Sequence, residues 1–254
     1  MLFFLGGNGC VTAPEDLGAT FAFPEGFRWK VHWTLDWWGV PGMEGHREGD
    51  LYVQETRRIS RFPNFTEVWV ENTEGSRNRW WITDTALLWV EIQGPGVPYP
   101  WALAPVPDAG NLRFRLGTRE FSSLDQVLRF AHQRMGDGLT PTPSNLAEPQ
   151  KTLRFPLEVG QQWVVFRDPW LRIRRVVAVD TVTGPDGALF SAWKIRAWDS
   201  VADSAYLRIE DWVTDRLWLR KHWWLLIEVY DENGNFLGYL HIREEYRLVA
   251  VERP

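Results

Sequence analysis

Cysteine occurs once in the 254 residues, at Cys10. A single thiol excludes a disulfide framework and a cysteine-based zinc cluster. No run approaches the ~20 consecutive apolar residues of a membrane-crossing helix. Lysine is scarce, standing only at Lys30, Lys151, Lys194 and Lys221, and the other basic residues are arginines. With 28 basic and 33 acidic residues the formal net charge is -5, which argues against a nucleic-acid binder with its basic stripe. A G-x-S-x-G elbow, an H-E-x-x-H helix, a Walker A loop and a dinucleotide fingerprint are all missing, so no catalytic motif stands out. The five histidines, His32, His46, His132, His222 and His241, are scattered outside metal-ligand spacing. No metal and no cofactor is expected.

What the chain has in excess is tryptophan, 17 residues against 6 tyrosines. Residues 26–40, GFRWKVHWTLDWWGV, show how it is used. Phe27, Trp29, Val31, Trp33, Leu35 and Trp37 fall on one parity; Arg28, Lys30, His32, Thr34 and Asp36 fall on the other. A period of two is a strand with one greasy face and one wet face. The same alternation recurs in DLYVQETRRIS, FTEVWVENTE, RNRWWITDT and ALLWVEIQ, then in QQWVVFRDP, LRIRRVVAVDTVT, ALFSAWKIRAWD, SAYLRIEDWV, RLWLRKHWWLLIEVY and NFLGYLHIREEYRLVAVE. In LRIRRVVAVDTVT, Leu171, Ile173, Val177 and Val179 are expected to share a face. Short polar breaks separate the runs, GPDG supplies one turn, and Asn233-Gly234 is a strong hairpin signal.

The stretch GVPGMEGHREGD (39–50) reads as a glycine-rich turn region. GPGVPYPWALAPVPDAG (94–110) holds five prolines, which sustain neither ladder nor helix, and reads as a crossing loop. One helix is expected over 123–135: Ser123 caps it with Gln126 three residues on, and Leu124, Val127, Leu128, Ala131 and Met135 recur at helical spacing. The fold expected is mainly β, an antiparallel meander of ten to twelve strands forming a curved sheet, barrel or half-barrel with that one helix. Residues 1–25 read as a signal remnant or tether. Residues 26–254 read as one β-rich domain, or as two sheet halves of it, 26–136 and 151–254, joined by a 137–150 connector.

MLFFLGGNGC, an apolar run followed by small residues and then Cys10, resembles the end of a bacterial lipoprotein signal, in which that cysteine is lipidated. A second resemblance covers about 153–250. Phe155, Pro156, Leu157, Val159, Gly160 and Trp163 follow an FPL-x-VG-x-x-W pattern, and Gly187, Phe190, Ala192, Lys194 and Ile195 match elements of a V…G-x-F-x-A-x-K-V hairpin. Together they resemble bacterial envelope lipoprotein-like β proteins of unassigned function. The resemblance implies a secreted or lipid-anchored extracytoplasmic protein, with membrane contact through the N-terminal anchor. The expected architecture is also similar to envelope carriers and chaperones that wrap a sheet around a helix and hold acyl chains.

Candidate chemistry is thin. DENGN has the alternation of a calcium loop, but Phe236 stands where glycine is required and Ile242 where glutamate is, so a hairpin explains it better. Glu210, Asp211, Asp215, Glu228, Glu244 and Glu245 could supply a glycosidase pair, yet solvated strand faces with arginine partners such as Arg208 and Arg220 account for them. The indoles remain. Trp80-Trp81 and Trp223-Trp224 are adjacent pairs that put one ring on each side of a sheet, and Trp38 points opposite to Trp37. Trp38, Trp80, Trp81, Trp223 and Trp224 are therefore the candidate ligand- or partner-binding residues. The leading expectation is a non-catalytic accessory or scaffold protein of an envelope or surface assembly with protein partners. A carrier of lipid or another hydrophobic ligand is the alternative, and a glycan-binding or glycan-cleaving protein the third.

Overall fold

A computed structural model describes residues 26, 28–72, 77–93, 111–135, 149–167, 171–199, 207–215 and 217–252. Cys10, the proline-rich segment 94–110 and residues 137–148 of the connector lie outside them. The first half contains β1 (Arg28–Trp38), β2 (Gly45–Phe62), β3 (Phe65–Asn72), β4 (Arg77–Ile82), β5 (Ala86–Gln93), β6 (Arg113–Leu116) and β7 (Arg119–Phe121), then helix α1 (Leu124–Met135). The second half contains β8 (Gln150–Arg154), β9 (Gln162–Phe166), β10 (Arg172–Thr183), β11 (Leu189–Asp199), β12 (Leu207–Val213), β13 (Trp218–Tyr230) and β14 (Phe236–Glu252).

The strands join in one antiparallel path, β8-β5-β4-β3-β2-β1-β14-β13-β12-β11-β10-β9, with β6 and β7 branching from β13. Chain-distant β1 and β14 pair along the whole length of β1, from Arg28↔Glu252 to Trp38↔His241. This central ladder merges the two expected halves into one sheet. Register shifts in several ladders, such as those at Lys30/Val31, Val176/Ala178 and Trp212/Val213, mark bulges that bend the strands. The sheet is curved and not a closed barrel. Its end strands β8 and β9 meet without a ladder among the described residues: Trp163 Nε1 of β9 donates to the Lys151 carbonyl of β8 (3.0 Å), and Arg174 Nη1 of the neighbouring β10 donates to the Thr152 carbonyl (3.1 Å).

The expected helix forms, and its start is set as its sequence demands. The Gln126 amide donates to Ser123 Oγ (3.3 Å), while Gln126 Oε1 accepts from the Ser122 amide (3.1 Å), one residue earlier than a strict capping box. Leu124, Val127 and Leu128 are buried in a core cluster with Phe114, Leu116 and the inner faces of β1, β12, β13 and β14. A second cluster gathers Val68, Leu87, Leu153, Trp163, Val176, Trp193, Val213 and Leu219. Among the described residues fourteen strands form against the expected ten to twelve; β6 and β7, four and three residues long, are too short for alternation to register.

The glycine-rich stretch corrects a second expectation, since only 39–44 form a turn and Gly45 already opens β2. The reason is across the ladder. Trp37 pairs with Gly45 and Trp33 with Gly49, and each indole lies over its glycine. A Cβ at Gly45 would stand 2.0 Å from the Trp37 ring, and one at Gly49 2.9 Å from the Trp33 ring. One strand can thus carry both Trp33 and Trp37 inward because its neighbour leaves the space for them empty. Gly45→Val is expected to cost about 1–3 kcal/mol through overpacking. Trp37→Leu in the same chain should recover part of it, and a double-mutant cycle showing no coupling between the positions would refute the packing account.

A third correction concerns polarity. Leu171, Ile173, Val177 and Val179 do not share one face: a bulge between Val176 and Ala178 breaks the alternation and puts Val179 on the parity of Arg174 and Val176, while Arg172, Arg174 and Val176 are buried. Nor are all the carboxylates solvated. Asp211 lies inside, between Ile209 of the first cluster and Val213 of the second. It takes Arg174 Nη2 at 3.2 Å and Trp218 Nε1 at 3.0 Å, and both members of the ion pair have side chains only 1% exposed. Its register partner Lys221 pairs onward with Tyr246. A buried polar belt therefore separates the two apolar clusters.

Glu244 belongs to this belt, fully buried between its register partners Leu35 and Trp223 and accepting from Tyr246 Oη at 2.6 Å. Burial pushes its carboxyl well above the ordinary value, against the Tyr246 hydrogen bond and the charge of Lys221. The folded chain then holds a proton that the unfolded chain releases near pH ~4.3. That contribution to stability is whole below the ordinary carboxylate range and is lost as pH climbs toward the raised value. Glu244→Gln keeps an acceptor for Tyr246 and removes the titration. Its stability advantage over the parent is expected to widen from pH 4 to pH 8 in urea unfolding; parallel profiles would show that Glu244 does not titrate differently in the two states.

Candidate functional site

Trp223 and Trp224 are neighbours on β13, and the strand period sends them to opposite sides of the sheet. Trp223 is 1% exposed within the first core cluster. It is a core residue, which corrects its place among the candidate contacts. Trp80 packs partly buried against the second cluster and 6.5 Å from Trp218. Trp81 belongs to a separate knot, where its Nε1 (3.1 Å), Trp69 Nε1 (3.3 Å) and Arg79 Nε (2.8 Å) all donate to Glu67. Burial works to raise the Glu67 carboxyl, but the donors from Trp81 and Arg79 outweigh it and hold it below the usual range.

Trp38 and Trp224 come together. On the outer face, Asp36, Arg243, Trp224 and Arg208 lie in register across β1, β14, β13 and β12, and Trp38, His241 and Leu226 form the next row. His241 sits between two indoles, stacked on Trp38 at 5.4 Å and 11° and tilted against Trp224 at 5.9 Å. Guanidinium groups cap the stack, Arg243 over Trp38 (5.9 Å) and Arg208 over Trp224 (5.5 Å). Nearer the β13–β14 hairpin, Tyr239 meets Phe236 edge-on at 5.1 Å and Phe236 meets Tyr230 at 5.5 Å. Trp38, Tyr239 and Phe236 are 37%, 45% and 50% exposed. Asp231 sets the hairpin by accepting from the amides of Asn233 (2.9 Å) and Asn235 (2.8 Å), with Gly234 at φ +82°.

Two rows along the same strands, Trp212 is buried, 5% exposed, and belongs to the second core cluster. Lys194 (4.8 Å) and Arg220 (4.9 Å) lie over the Trp212 ring, whose Nε1 donates to Asp180 at 2.9 Å. Trp212 also stacks with His222, and burial lowers the His222 pKa, favouring the neutral ring. Carboxylates here are held by cations: Glu210 by Arg196 (2.6 Å) and Lys194 (3.1 Å), Glu245 by Arg220, Glu228 by Arg115, and Asp36 by Arg243 (2.7 Å). What the face presents outward is ring planes and guanidinium groups.

Where β1 meets β2 the outer face carries an imidazole–carboxylate chain. His46 Nδ1 lies 2.6 Å from Asp36 and His32 Nδ1 3.1 Å from Asp50, while Glu48 stands 3.3 Å from His32 Nε2 and 3.6 Å from His46 Nε2. The Asp36 hydrogen bond raises the His46 pKa. Among the described residues no group of three or more His, Cys, Asp or Glu is placed to hold a metal ion. No helix of the described residues is long and apolar enough to cross a membrane.

His241, Tyr239, Phe236, Arg208, Arg243 and Trp212 were not singled out by sequence. The available signal was parity: His241, Arg243 and Glu245 alternate through β14 as Trp224 does through β13. Only the ladder register reveals that His241 and Arg243 meet Trp38, about 200 residues away in the chain. No protein-family model and no curated protein matches the chain.

Proposed function

We propose that this chain is a non-catalytic binding or accessory protein of the bacterial envelope, working through the outer face of β12, β13, β14 and β1. The observation that carries the reading is the Trp38–His241–Trp224 stack flanked by Arg243 and Arg208. Tryptophan, tyrosine and arginine are the residue types that concentrate binding energy at protein interfaces. The strip lies on four strands paired in the middle of the sheet, and a pre-ordered surface loses little entropy on binding. The inner side is filled by its own side chains: both core clusters, the buried Trp89 and Trp223, and the Arg174–Asp211 pair. That filling favours an outside surface over an internal ligand cavity. The envelope assignment rests on the run of small residues before Cys10 and on the resemblance over 153–250.

Native mass spectrometry of the protein extracted from its own membrane tests the reading, because it weighs anchor, ligand and partner together. The expected spectrum shows a chain beginning at an acylated Cys10 and bound to a second polypeptide. A lipid held by the chain with no polypeptide partner would point to a carrier, and a soluble, unacylated chain with neither would defeat the proposal.

A further inference from the structure

We infer that the outer strip docks a segment of a partner protein that brings an acidic side chain to Arg208 and an apolar or aromatic side chain to Trp38 and Tyr239. This rests on the binding reading above and specifies the partner's chemistry. Charge and stacking together mark Arg208. Arg243, Arg196, Arg220 and Arg115 each hold a carboxylate, whereas Arg208 is exposed, has no carboxylate partner among the described residues and, unlike the also exposed Arg247 of β14, rests on an indole. Its guanidinium lies over Trp224 at 5.5 Å. A guanidinium resting on an indole keeps its donor edge free and ordered, ready to take a carboxylate in the bidentate geometry that lysine cannot supply.

The surroundings supply the second half of the recognition. Trp38, Tyr239 and Phe236 are the large rings exposed beside the strip, with Leu237 also exposed next to them. They offer apolar area to a side chain following or preceding the acid. The same surroundings disfavour a sugar. A glycan needs acceptors for its hydroxyls, and here Asp36, Glu228 and Glu210 are already held by Arg243 and His46, by Arg115 and Tyr230, and by Arg196 and Lys194. Rings and cations with few open acceptors fit an acidic, aromatic peptide better than a polyol.

The test uses the full chain as bait for a displayed library of random 12-residue peptides, with selected peptides resynthesised and titrated by fluorescence anisotropy. Selected peptides are expected to carry Asp or Glu close to Leu, Phe, Trp or Tyr. Their Kd should rise about tenfold or more with Arg208→Gln and with Trp38→Ala, while circular dichroism and unfolding midpoint stay near the parent's. Arg208→Lys should recover only part of the loss. Peptides selected without acids, or affinities indifferent to both substitutions, would overturn the inference and leave the binding reading standing. Failure to select any peptide would sink both, and retention on a glycan array or on lipid vesicles in that case would name the replacement.

Discussion

Asp211→Ala is expected to lower the free energy of unfolding by about 3–5 kcal/mol, a large part of what a domain of this kind has to lose. The substitution does not merely delete a contact. It leaves the Arg174 guanidinium, 1% exposed, without the carboxylate 3.2 Å away, and it leaves Trp218 Nε1 without its acceptor. Arg174 retains the Thr152 carbonyl at 3.1 Å, but a carbonyl does not neutralise a buried charge. The pair itself is a weak source of stability, since desolvating two ions offsets most of their attraction. Replacing both partners, as Arg174→Met with Asp211→Leu, is therefore expected to restore most of the parent's stability. Denaturant unfolding of the three variants decides the matter. A cost below about 1 kcal/mol for the single change, or a double variant worse than it, would contradict the cost of breaking a buried ion pair.

The second large effect comes from two adjacent tryptophans treated alike. Trp223→Ala should cost about 3–5 kcal/mol, the range for emptying a large aromatic site in a packed core. Trp223 is walled in by the first core cluster and lies in register with Ile209 and Glu244, so the cavity has little freedom to collapse. Trp224→Ala should cost only about 1 kcal/mol, because what goes is ring contact with Arg208 and His241 on a partly wet face. Binding should respond in the opposite order, with Trp224→Ala weakening capture of partner peptides. Urea midpoints for the two variants, read at equal m-values, separate the roles. Equal costs would mean that β13 does not divide an inside from an outside at this point.

Much of this architecture was legible in the chain. The parity of Trp29, Trp33, Leu35 and Trp37 named the inner face of β1, Ser123 and Gln126 marked the start of α1, and Asn233-Gly234 marked the last hairpin. These are local signals, carried by residues within a few positions of one another. The failures share a different character. Gly45 and Gly49 read as turn formers because nothing nearby says that Trp37 and Trp33 will lie across them. Arg172 and Arg174 read as the wet side of β10, because arginine is seldom buried unless paired, and Asp211 is some forty residues further on. Of the five candidate indoles, the fold joins Trp38 to Trp224, sends Trp223 to the core, and leaves Trp80 and Trp81 in other surroundings.

Local sequence thus determined what each segment would become: strand or helix, greasy side or wet side, turn or ladder. Those choices follow from periodicity, capping and turn chemistry, whose physics acts over a few residues. Which wet sides became neighbours was decided by the pairing of β1 with β14 and of β14 with β13. That pairing brought His241 between Trp38 and Trp224, and left Arg208 as a guanidinium on an indole with its donor edge open. Register along a ladder depends on the combined packing of both faces and of every adjoining strand, so no single stretch of the chain contains it.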